Sequence, residues 1–187
     1  MTTIVFFLEE PSAQDALEGL LPRILPEGIQ TEFLVFEGKQ DLEKRMVRRM
    51  RGWLRPNSLF VVLRDQDSGD CRTIKGELVG KCREGGQPEA LVRIACRTLE
   101  SWFLGDWEAV AMAFGSPRLK SLSQKAMYRK PDALGNPVSE LRKYLSTYQK
   151  RDGARRIGPL LDIERNLSRS FQVFVSGVQR LSETAVS

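Results

Sequence analysis

The sequence predicts an α/β domain built on a parallel β-sheet flanked by helices. Three observations predict it. Four apolar runs of strand length occur at residues 4–8, 33–36, 59–63 and 91–96. Stretches with the apolar periodicity of an amphipathic helix separate them. The runs at 4–8 and 59–63 are continuously apolar rather than alternating, the pattern of strands buried on both faces. Strand and helix alternating four times over argue for parallel pairing through crossover helices.

Each element has its own signal. After the run Ile4-Val5-Phe6-Phe7-Leu8, Ser12 is placed to cap a helix with Asp15 as its capping-box partner. Ala16, Leu17, Leu20 and Leu21 give that helix an apolar face, and Pro22 and Pro26 bracket its end. The second strand ends at Glu37-Gly38. Leu42, Met46, Met50 and Leu54 then recur every fourth residue and predict a second helix, with Lys44, Arg45, Arg48, Arg49, Arg51 and Arg55 on its other faces. Pro56-Asn57-Ser58 breaks the chain before the third strand, which ends in Arg64-Asp65-Gln66-Asp67. A third helix carries Ile74, Leu78 and Cys82 and closes at Gly85-Gly86. Residues 97–106 read as a loop entering a helix. The alternation stops near Ser116-Pro117. We therefore expect an α/β core over 1–115 and a basic helical extension over 116–187, packed on the core as one structural unit. The extension ends in a helix striped by Phe171, Phe174, Val175, Val178 and Leu181.

Composition narrows the chemistry. The chain has 187 residues, 41% of them hydrophobic, enough for one proper core. It has no histidine, which excludes a Ser-His-Asp triad, a Cys-His dyad and a His-ligated zinc. Cys71, Cys82 and Cys96 have no CxxC spacing and read as reduced thiols. No apolar run approaches the ~20 residues that span a bilayer. The N-terminal region has neither the basic segment nor the apolar length of a signal peptide, so a cytoplasmic protein is expected. The net charge of +5 is unevenly spread: residues 38–64 hold eight bases and two acids, and 111–187 hold fourteen and six. Such segments are either solvated faces or contacts for a polyanion.

In a parallel sheet, sites form outside the carboxyl ends of the strands. Here those ends carry Glu9 and Glu10, then Glu37, then Asp65 and Asp67, then Glu100 and Asp106. Carboxylates gathered on one edge repel unless a cation or proton lies between them. Oxygen ligands select Mg²⁺, Mn²⁺ or Ca²⁺. Asp65 and Asp67 reach one cation only if the strand breaks into a loop there, which Gln66-Asp67-Ser68-Gly69 allows. The structural alternative is that Asp67 or Asp70 caps the following helix.

Leu8-Glu9-Glu10-Pro11-Ser12 resembles the first-strand glutamate motif of Toprim domains, and Leu63-Arg64-Asp65-Gln66-Asp67 resembles their third-strand Asp-x-Asp. More narrowly, the chain resembles the Toprim-related family filed as domain of unknown function 4276. That likeness includes Phe36-Glu37-Gly38-Lys39, Arg93-Ile94-Ala95-Cys96 through Glu100 to Asp106, and Arg169-Ser170-Phe171. The sequence departs from the Toprim pattern at Glu10, where glycine is usual, and at Ala13, where a second acid often follows. The resemblance implies a Toprim-like, Rossmann-type sheet. It also implies a Mg²⁺- or Mn²⁺-dependent nuclease acting on DNA or RNA, in a defence or repair setting. Glu9, Asp65 and Asp67 would be the metal ligands and, with Glu100, the catalytic residues. A non-catalytic metal- or nucleic-acid-binding scaffold working with an ATPase partner is the alternative. A nucleotide-sugar transferase fits poorly, because no second substrate lobe is evident. A phosphatase would carry Asp-x-Asp after the first strand.

Lys39 and Lys75 lie near strand ends and are candidates to offset phosphate charge. Arg45, Arg48 and Arg49, and Arg151, Arg155 and Arg156, are candidate backbone contacts. Trp102 and Trp107 are either core residues or base-stacking platforms. Tyr128, Tyr144 and Tyr148 read as packing or surface residues.

Overall fold

A computed structural model of the chain describes residues 2–184. Four strands, β1 (Thr3–Leu8), β2 (Gln30–Val35), β3 (Ser58–Asp65) and β4 (Leu91–Ala95), form an all-parallel sheet in the order β2-β1-β3-β4. Helix α1 (Pro11–Leu20) follows β1, α2 (Lys39–Arg51) follows β2 and α3 (Cys71–Glu84) follows β3. The remaining helices are α4 (Glu100–Leu104), α5 (Trp107–Ala113), α6 (Pro137–Tyr144), α7 (Lys150–Ile157) and α8 (Arg169–Glu183), with 3-10 turns between several of them. No helix among the described residues is long and apolar enough to cross a membrane.

The central strands explain the sheet. Ile4 to Leu8 of β1 are fully buried because alternate residues feed two different layers. Ile4, Phe6 and Leu8 pack with α1, α4, α5, α7 and α8. Val5 and Phe7 pack with Leu42, Met46 and Met50 of α2 and Ile74, Leu78 and Cys82 of α3. The chain runs outward from β1 to β2, then crosses back to β3 and on to β4. The order therefore reverses between β1 and β3, the switch point outside whose carboxyl ends a doubly wound sheet places its sites.

Three local expectations are corrected. Ser12 does not cap α1: the helix begins at Pro11, the Ser12 hydroxyl donates to Glu10 at 3.0 Å, and Asp15 binds Arg151 and Arg155 of α7. Proline suits the first helical turn because its missing N–H would have had no helical partner. Leu54 does not continue the α2 stripe: the helix ends at Arg51, Gly52 closes it, and Leu54 is 91% exposed. Strand β2 starts three residues earlier than its apolar run, through Gln30-Thr31-Glu32.

The residues after 116 share their core with the sheet. Tyr148, Ala154, Ile157, Phe171, Phe174 and Val178 belong to the same buried cluster as β1 and α1. The docking of α7 and the turn after it on α1 is close. A Cβ on Gly158 would lie 2.4 Å from the Ala16 carbonyl oxygen, and a backbone atom cannot move aside as a flexible side chain can. Gly158→Ala is therefore expected to cost about 2 kcal/mol by overpacking, a drop of ~4–8 °C in Tm for a chain of this size. A thermal melt checks it.

Candidate active site

Four loops, hydrogen-bonded in pairs, build the carboxyl edge. The Gly38 N–H donates to the Glu9 carbonyl at 2.9 Å, and Gly38 holds φ +96°, a conformation that favours glycine. The Asp67 N–H donates to the Arg97 carbonyl at 2.7 Å, and the Arg97 N–H returns a bond to the Gln66 side chain at 3.0 Å. Asp67 (φ +55°) and Arg97 (φ +61°) both sit in the left-handed region. For non-glycine residues this is strained, most of all for arginine, and such strain gathers at functional sites.

Glu9 and Asp65 come from the ends of β1 and β3, the two strands on either side of that switch point. The Glu9 carboxylate accepts the Asp65 N–H at 3.1 Å. Burial pushes the Glu9 carboxyl above its ordinary range. The Asp65 N–H opposes that shift and the charge of Asp67 adds to it. Asp65 itself is 9% exposed. Burial, then Glu100, Glu9 and Glu10, push its carboxyl well above the ordinary aspartate range, with Lys150 pulling the other way. Glu100, at the start of α4, is fully buried, and neither of its carboxylate oxygens has a hydrogen-bond partner. A buried carboxylate with no donor is costly, and a native protein retains one only where something else compensates.

The extension supplies two side chains to this cluster. From α7, the Lys150 ammonium donates to the two Glu10 oxygens at 3.0 and 3.3 Å. Burial lowers the pKa of Lys150, but Glu100, Glu10 and Asp65 together hold it above the ordinary lysine value. The Tyr148 hydroxyl is buried and faces Glu100 in a geometry that falls short of a hydrogen bond. Burial and the Glu100 charge push its pKa up.

Asp67 lies at the rim, where Lys39 donates to its carboxylate at 2.8 Å, so that the Lys39 ammonium is held above its ordinary value. Asp70, not Asp67, caps α3, accepting the Thr73 N–H at 2.8 Å. With Glu9 on the Asp65 amide, Glu10 on Lys150 and Asp67 on Lys39, no three Asp, Glu or Cys side chains among the described residues already stand as a set that could hold a metal ion.

The chain matches the family described as a domain of unknown function, DUF4276, over residues 8–179. It belongs to the DUF4276 family. Neither a curated protein nor a solved structure gives a significant match.

In this DUF4276 domain the sequence-derived candidates divide clearly. Glu9, Asp65 and Glu100 form one electrostatic cluster, with Asp67 acting on Glu9 from the rim. Asp106 does not join them. It is buried as the cap of α5 and binds Arg165 at 2.8 and 3.0 Å. Glu37 is exposed beyond the edge strand. Lys75 lines a groove between α3, β4 and α8 instead of facing the acids. Arg155 binds Asp15 at 3.2 Å, and Arg156 binds Asp152 at 3.0 Å and lies over Phe114, so both are engaged within the protein. Trp102 and Trp107 are buried in the core and present no face to a base. Tyr148 packs as expected, but its hydroxyl also faces Glu100, which the sequence pattern does not indicate. Cys71, Cys82 and Cys96 are unbridged.

Proposed function

We propose that this DUF4276 protein is a Mg²⁺- or Mn²⁺-dependent phosphodiesterase of the Toprim kind that hydrolyses nucleic acid. The observation that carries the reading is the fully buried Glu100 carboxylate, faced by the Tyr148 hydroxyl but held by no well-formed hydrogen bond, beside an Asp65 whose carboxyl is pushed well up. An acidic pocket that lacks matching donors is suited to a cation. The donors are all hard carboxylate oxygens, the set that Mg²⁺ and Mn²⁺ prefer. Glu9, Asp65 and Asp67 would hold the ion after rotation of side chains now engaged elsewhere, and Glu100 would complete the shell or position the water. When bound, the ion would supply Lewis-acid neutralisation of phosphate charge and activation of water.

The chain's own residues account for the rest. In hydrolysis, water attacks phosphorus, one P–O ester bond breaks, and a phosphate monoester and a free hydroxyl result. Lys39 at the rim and Lys150 within the cluster place ammonium charge on either side of the acids, where phosphate oxygens gain charge.

The test is cleavage of labelled single-stranded and duplex DNA and RNA with Mg²⁺ or Mn²⁺. Wild type is expected to cut in a metal-dependent manner. Asp65→Asn and Glu100→Gln are each expected to lose ~10²- to 10⁴-fold, the span that a positioned acid–base group contributes. Equal activity in wild type and Asp65→Asn would sink the reading. Metal binding without turnover would instead favour a scaffold module that acts with an ATPase partner.

A further inference from the structure

A second feature lies away from the acids, on the outer side of α2. Arg45, Arg48 and Arg49 line a groove of about 440 Å³ with Leu34, Gly52 and Trp53, and a smaller hollow beside it adds Val35 and Phe36. The groove lies between α2 and β2, and β2 is the edge strand of the sheet. Both acids of α2 are already engaged: Asp41 with Arg45 and the Glu37 N–H, Glu43 with the buried Arg64. Arg48 and Arg49 are exposed and make no ion pair with any described residue. Helix-dipole stabilisation accounts for basic residues in the last turn. It accounts neither for Arg45 a turn earlier nor for three guanidinium groups around one hollow.

From this geometry we infer that the α2 groove binds the phosphate backbone of a single-stranded nucleic acid without reading its sequence. Arg45 and Arg49 are one helical turn apart, ~6 Å, a reach suited to neighbouring phosphates. Unpaired arginines are suited to phosphate oxygens because their planar donors bind them in pairs. The hollow has the size of a small-molecule site. It holds a nucleotide or two of one strand and is too small for a duplex. Bases have nothing to stack on, because Arg55 lies over the Trp53 ring at 5.5 Å and Phe60 meets it edge-on. Helix α2 also starts at the acid cluster, where Lys39 holds Asp67. Arg49 is ten residues further on, ~15 Å along the axis. A strand lying in the groove therefore leads toward the candidate active site. The choice of nucleic acid as the polyanion rests on the proposed function, but binding needs neither metal nor turnover.

The experiment measures fluorescence polarisation of a labelled oligothymidylate of about 15 nucleotides, in EDTA, across a salt series. Arg48→Glu/Arg49→Glu is compared with a control of equal charge change, Arg129→Glu/Lys130→Glu, at exposed residues of the extension. The groove variant is expected to bind at least tenfold more weakly. Its log–log salt slope should fall by about 1.4, two phosphate contacts at ~0.7 each. The control should retain wild-type affinity within a factor of two or three, and circular dichroism should show both variants folded. Equal weakening in both variants, or wild type that does not bind, overturns the inference. Competition by polyglutamate as effective as by unlabelled oligothymidylate would assign the groove to an acidic protein instead, and equally effective competition by duplex would overturn the preference for one strand. Because binding is read in EDTA, retained binding together with no cleavage when Mg²⁺ or Mn²⁺ is supplied would count against the phosphodiesterase and leave the groove standing.

Discussion

Asp65→Asn is expected to make the metal-free protein more stable and to remove its response to Mg²⁺ and Mn²⁺. Burial, Glu100, Glu9 and Glu10 raise the Asp65 carboxyl well above its ordinary value. Its pKa in the unfolded chain is ~3.9, so between that value and the raised folded value the native state binds the extra proton. Stability from this group is therefore complete below ~pH 3.9 and is lost as pH rises through the folded pKa. Each unit of displacement is worth about 1.4 kcal/mol at the upper end of that window. A neutral amide avoids the loss. At pH 8 the variant should therefore melt above wild type. The gap should narrow toward pH 5, and Asp65→Asn melting below wild type at pH 8 would contradict it. Metal should act on wild type instead. An ion at ~100 times its Kd adds ~2.7 kcal/mol, or ~5–10 °C, to wild type, and the variant should show little of that shift. Wild type unmoved by either ion would count against Glu9, Asp65 and Asp67 as a ligand set and favour the scaffold reading.

The same residues show what a sequence can and cannot reveal. The central strands were legible because burial on both faces leaves a continuous apolar run, as in Ile4 to Leu8. The start of β2 was not, because an edge strand keeps Gln30-Thr31-Glu32 half in water and so lacks that run. Leu54 misled because it falls on the fourth-residue spacing of α2, although Gly52 and Pro56 were present to stop the helix. Glu9 and Asp65 could be placed because strand ends in a parallel sheet share an edge. Lys150 could not, since it meets Glu10 only through the docking of α7 on α1, 140 residues away in the chain. One signal for that docking was available. Gly153 is costly inside a helix, and it is there because a Cβ would strike the Tyr148 ring at 2.2 Å. The glycine makes room for the tyrosine that faces Glu100.

Glu100 and Asp106 are both buried acids, one on α4 and the other at the cap of α5, and replacing them is expected to have opposite effects. Asp106 accepts the Ala109 and Asp162 N–H groups at 3.1 and 2.9 Å and two bonds from Arg165. Asp106→Ala leaves all of these donors without their acceptor. Breaking a buried pair costs ~3–5 kcal/mol, more when both partners are enclosed, and loss of a helix cap adds ~1. Arg165 is 40% exposed and recovers some hydration, which places the expected loss near ~4 kcal/mol, or ~8–16 °C in Tm. Glu100 has no well-formed hydrogen bond to lose, only the approach of the Tyr148 hydroxyl. Glu100→Gln removes a buried charge and eases the pressure on Asp65, so in EDTA its Tm should equal or exceed that of wild type. Melting both variants beside wild type checks the pair. If Glu100→Gln fell as far as Asp106→Ala, Glu100 would be part of the structural frame and the cation site would lose its main support. If only Asp106→Ala fell, the fold would not depend on the Glu100 carboxylate, and a role for it at the cation site would keep its support.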